Sequence, residues 1–144
     1  MARVLFPLDG TPDSFDAIPA GLDLLGPGHE VTLLAVMQEG FEHAPEDRVE
    51  MFEEDDTDQI LPTEAACQEV LAEGARRCAA RGIEATPLVR KGRAVAEILA
   101  ACEDHDVLVM HALAKTRLQD RLHFSSGGQL TRRAGCHVLL VHLD

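Results

Sequence analysis

The chain is predicted to fold as an α/β protein, a five-stranded, mostly parallel sheet with helices on both faces. Three observations carry the prediction. Short apolar runs alternate with helix-forming segments along the sequence. One of those runs, EVTLLAVM over Glu30–Met37, is nearly continuous in apolar residues, as a strand covered on both faces requires. Between strand-like runs lies TEAACQEVLAEGARRCAAR, Thr63 to Arg81, rich in the strongest helix formers. Alternation at this spacing implies parallel pairing through right-handed crossovers. With 144 residues the chain, 1–144, is one ordinary domain, long enough to bury a core.

The first strand is Arg3 to Leu8, with Pro7 near its end. Asp9-Gly10 turns the chain, and Thr11-Pro12 opens a helix with a capping residue and proline at the first helical position. That helix is expected to reach Leu25 and stop at Gly26-Pro27-Gly28, with a kink or loosened turn between Phe15 and Pro19. In the helix after Thr63, Ala66, Val70 and Ala75 with Cys67, Leu71 and Cys78 are expected to form the buried stripe, closed by Gly82. Ile83 to Val89 reads as the third strand and is weakened by Pro87. Arg90-Lys91-Gly92-Arg93 turns into a third helix ending near Glu103. Val107 to Met110 and His137 to Leu143 complete the strands.

From Glu39 to Asp58 the character changes, with ten acidic residues against one arginine. This acidic insertion, about residues 39–61, reads as a solvated segment. Its carboxylates lack the regular spacing of a calcium loop, and no metal site is expected.

The formal net charge of −12 argues against nucleic acid or an anionic membrane as partner, because both require a basic face. The chain holds no Trp and no Tyr, so it lacks those platforms for stacking bases. No run approaches the roughly 20 apolar residues of a membrane span, and MARVLFPLDG lacks the features of a signal peptide. A cytoplasmic location is the resulting expectation. The four cysteines, Cys67, Cys78, Cys102 and Cys136, are scattered without a C-x-x-C pair and read as buried, reduced thiols.

Several motifs together resemble the universal stress protein family. They are V-L-F-P-L-D-G-T at Val4–Thr11, T-L-L-A-V at Thr32–Val36, G-R-A-x-x-x-I at Gly92–Ile98, D-V-L-V-M at Asp106–Met110 and G-C-H-V-L-L-V at Gly135–Val141. Each is weak alone, but their order and spacing are specific. The resemblance implies a dimer through the last strand, which would otherwise leave an apolar sheet edge open. It also implies that Asp9 lies near the ribose and metal-phosphate region of a nucleotide and that the Val36 backbone reads the adenine edge. Ser125, with Ser126 beside it, would hold phosphates.

Nucleotide-binding members carry G-x-x-G, nine residues, then G-[ST]. Aligned from Met110, the three glycine positions fall on His111, Ala114 and Phe124, and only Ser125 remains. Side chains there block the close backbone approach that phosphate needs. The expectation is therefore a non-catalytic stress-response homodimer that binds ATP weakly or not at all and acts through protein partners. The alternative is an ATP-binding switch, with Mg, using a remodelled loop. Free amides at the helix start near Ser125, with Lys115, Arg117 and Arg121 upstream, favour that alternative.

Enzyme readings fail on particular atoms. Phe6 to Ser14 resembles the D-x-D-G-T opening of haloacid-dehalogenase-type phosphatases, but Pro7 stands at the nucleophile position. The chain contains neither a phosphate-binding G-x-x-x-x-G-K-[ST] nor a G-x-S-x-G elbow. It reads as a non-enzyme.

Overall fold

The computed structural model describes residues 1–38, 61–112 and 126–143. The elements run β1 (Arg3–Leu8), α1 (Pro12–Leu25), β2 (Glu30–Met37), α2 (Glu64–Ala79), β3 (Thr86–Lys91), α3 (Ala94–Cys102), β4 (Val107–His111), α4 (Ser126–Arg133) and β5 (His137–Val141). The five strands form one sheet in the order β3-β2-β1-β4-β5, parallel throughout. The predicted architecture is the observed one.

Strand periodicity divides the core in two. Val4, Phe6 and Leu8 of β1 and Val31, Leu33 and Ala35 of β2 face α1 and α2, where Ile18, Leu22, Cys67 and Leu71 meet them. Leu5, Leu34, Val36 and Leu108 face the other way, toward Ile98, Ala101 and Cys102 of α3 and Leu130 of α4. Helices thus cover both faces, which explains the unbroken apolar run of β2.

Local chemistry sets the helix ends. Thr11 caps α1, its hydroxyl accepting the Ser14 N–H at 3.3 Å. Thr63 caps α2 in the same way through the Ala66 N–H at 3.1 Å. Pro19 lies inside α1 without ending it. At the far end of α2 the Gly82 N–H donates to Ala79, and the Ile83 N–H reaches back to Cys78, both across a left-handed Gly82. This glycine closure is the one expected.

Three expectations need correction. The strand predicted at Ile83–Val89 lies at Thr86–Lys91, because the Ile83 amide is committed to the α2 closure and β3 takes its register from Thr32 to Met37 of β2. Pro87 is tolerated because β3 is a sheet edge. The buried stripe of α2 runs through Cys67, Val70, Leu71, Gly74 and Cys78, whereas Ala75 faces solvent. Cys136 is half-buried, unlike the other three cysteines.

Candidate functional site

In an open parallel sheet, ligands bind beyond the carboxyl ends of the strands where the strand order reverses. Here the chain winds outward from β1 through β2 to β3, then crosses back to β4 and β5, so the reversal lies between β1 and β4. The β1–β4 register covers only Val4–Val107 and Leu5–Leu108, against six pairs between β1 and β2. The two strands are therefore joined at their amino ends and leave a crevice at their carboxyl ends. Asp9, Gly10 and Thr11 follow β1 there, and His111 and Ala112 close β4.

The β1–α1 turn is tightly built. Asp9 Oδ1 accepts the Thr11 N–H at 2.9 Å and the Thr11 hydroxyl at 2.6 Å. Ser14 donates its hydroxyl to the Thr11 carbonyl at 2.8 Å. Gly10, at φ 88°, supplies the left-handed step that lets Asp9 fold back. Thr11 and Ser14 are the buried polar side chains among the described residues. One Asp9 oxygen is thus already occupied in orienting the start of α1. Thr11→Ala removes both a cap and an Asp9 partner and should destabilise the fold by about 1–2 kcal/mol in chemical denaturation.

At the end of β2 the Met37 carbonyl accepts the Gly92 N–H at 3.0 Å, on the β3 side. Alternation along a strand then turns the backbone groups of Val36 and Gln38 to the opposite side, where β1 has already ended at Leu8. A backbone edge is thereby presented to the crevice. Part of it is already taken, since Leu61 lies parallel to Met37 and accepts the Gln38 N–H at 2.9 Å. The Gln38 side chain turns outward to α3, its Oε1 accepting the Ala94 N–H at 3.3 Å. Arg90 is held by Glu97, Nε to Oε1 at 3.1 Å, under the β3–α3 turn.

Of the sequence-predicted residues, Asp9 and Val36 are thus placed at the carboxyl ends of adjacent strands. The Val36 side chain is buried in the core facing α3, leaving only its backbone for the crevice. Ser126 is the first residue of α4, and Ser125 lies outside the described residues, as do Ala114, Phe124 and the acidic stretch 39–60. His111 is half-buried at the end of β4 and in register with Val141. Gln38 and Leu61 were missed, because a cap and a bridge between residues far apart in sequence leave no local pattern. Among the described residues no three His, Cys, Asp or Glu side chains gather as a metal site, and no helix is long and apolar enough to cross a membrane.

Solved structures share this fold. A universal stress protein family protein from Arabidopsis thaliana with AMP bound superposes with a TM-score of 0.68 at 14% identity, covering 100% of this chain and 93% of that one. A universal stress protein in complex with cAMP gives 0.65 at 17%, covering 98% and 96%. The universal stress protein from Lactobacillus plantarum gives 0.67 at 16%, covering 97% of each chain. A search of curated proteins found no match. The family model described as universal stress protein family matches residues 1–142, and the chain belongs to that family.

Proposed function

We propose that this protein is a non-catalytic universal stress protein that acts as a homodimer in the cytoplasm through protein partners, and that it binds adenine nucleotide weakly or not at all. The observation that carries this reading is His111. It stands half-buried at the carboxyl end of β4, on the rim of the crevice, where the family resemblance expects a glycine. An imidazole there occupies space that a phosphate and a bare backbone would share. Asp9 and Leu61 support the same reading, since each commits to the protein part of what a nucleotide would use. The residues present are therefore a poor fit to Mg-ATP held in the family manner. The dimer rests on β5, an edge strand whose Val138, Leu139 and Leu140 are only partly covered.

A second reading is supported by the AMP-bound and cAMP-bound neighbours together with the retained crevice. In it, the chain is an adenine-nucleotide switch whose phosphates sit at the start of α4. Calorimetric titration with Mg-ATP, on protein shown to carry no co-purified nucleotide, separates the two. The first reading expects no heat of binding up to millimolar ATP. Micromolar affinity would overturn it in favour of the switch, and Asp9→Ala should then weaken binding.

A further inference from the structure

Cys102 ends α3, and Cys136 stands immediately before β5. In a parallel sheet both positions lie at the amino-terminal edge, opposite the crevice. Backbone bonds fix them there. The His105 N–H donates to the Cys102 carbonyl at 3.1 Å, and the His137 N–H donates to the Asp106 carbonyl at 3.0 Å. Val107 is in register with His137, so one strand pairing locks the two segments side by side. Both side chains pack into the same core cluster, the one that contains Ile98, Leu108 and Leu130. Cys102 is fully buried within it, and Cys136 is half-open to solvent.

Burial first, and then a hydrogen bond to the Cys136 sulfur, pushes the Cys102 thiol up to about 12. Cys102 therefore keeps its proton at neutral pH. Cys67 and Cys78 differ in place and surroundings. Both sit fully buried on α2, against the other face of the sheet, with thiols raised chiefly by burial.

We propose that Cys102 and Cys136 form an oxidation site at which hydrogen peroxide is reduced and an intramolecular disulfide is made. Cys136, the accessible sulfur, attacks peroxide as the thiolate. The O–O bond breaks, hydroxide leaves, and Cys136 becomes a sulfenic acid. The Cys102 sulfur then attacks the Cys136 sulfur. The S–S bond forms as the S–O bond breaks, and the hydroxyl departs as water with the proton that Cys102 gives up. In sum, two thiols and one peroxide yield one disulfide and two waters. The cross-link ties the end of α3 to the chain entering the edge strand β5, and it leaves the carboxyl-end crevice untouched.

The test uses the reduced full chain with one equivalent of hydrogen peroxide, followed by alkylation under denaturing conditions and peptide mapping. The expected result is loss of two of the four thiols and a single Cys102–Cys136 linked peptide that dithiothreitol reverses. Closing this loop should raise the thermal midpoint by about 5–10 °C. In Cys102→Ser, dimedone should trap the sulfenic acid on Cys136. The mapping of the unaltered chain decides the matter if that variant folds poorly. Four intact thiols, a Cys136–Cys136 link between copies, or Cys136 carried to sulfinic acid with Cys102 still alkylated would each overturn the proposal. Because the pair lies away from the crevice, the Mg-ATP titration is expected to be the same before and after oxidation.

Discussion

Phe6→Ala should remove about 3–5 kcal/mol of stability, the largest effect expected of any single change in this chain. Phe6 is the largest of the fully buried side chains among the described residues and sits midway along β1, the central strand. Its ring lies beneath α1, close enough that a Cβ on Gly21 would stand 3.1 Å from Cε1. Truncation therefore opens a cavity between the central strand and a helix that is itself anchored by the Thr11 cap. Neither element can collapse to fill it, since β1 is pinned by six register pairs to β2. Against a total stability of roughly 5–15 kcal/mol this is a large fraction, and the thermal midpoint should fall by about 10 °C or more. A midpoint within a degree or two of the unaltered chain would show that the core facing α1 is not packed as described.

Gly74→Val is expected to be the second most damaging change, for the opposite reason. A Cβ at Gly74 would lie 2.6 Å from Leu8 Cδ1 and 3.0 Å from Leu33 Cδ1. Both leucines are themselves buried on neighbouring strands and have little room to withdraw. Overpacking of this kind costs about 1–3 kcal/mol. Replacing a helix glycine returns at most ~1 kcal/mol of backbone propensity, and less for a β-branched residue. The steric cost wins, and urea denaturation should show a lower midpoint with an unchanged slope. Equal stability would mean that α2 rides higher on the sheet than its glycine permits.

Gly74 also shows where sequence reading reached its limit. Helix periodicity located α2, its cap at Thr63 and its closure at Gly82, because each depends on local chemistry. The same periodicity placed Ala75 inside, since a stripe is traced by apolar side chains and a glycine offers none. Yet Gly74 is buried because it lacks a side chain, and that lack sets how near α2 approaches Leu8 and Leu33. The shifted β3 has a similar cause. Ile83 is apolar and strand-like in isolation, but its amide serves the helix before it.

For the crevice, Asp9, Gly10 and Thr11 were legible because an aspartate, glycine and threonine in that order build a turn and a cap by themselves. Val36 was found through family resemblance, and the direction of its backbone follows from the Met37–Gly92 bond. The Leu61 bridge and the Gln38 cap on α3 were not legible, since each depends on which residues the fold brings back to the end of β2.

The Gln38–Leu61 bond makes the junction of the acidic stretch a natural splice point. Gln38, one residue beyond the end of β2, and Leu61, a core residue, are joined by a 2.9 Å hydrogen bond. Loop-closure entropy grows only slowly with length, about 0.6 kcal/mol per doubling. The ends stay tied to β2 whatever lies between them. Evolution, or a protein engineer, can therefore lengthen, shorten or exchange that stretch as a module while the sheet keeps its register, so new recognition could be added here without redesigning the domain.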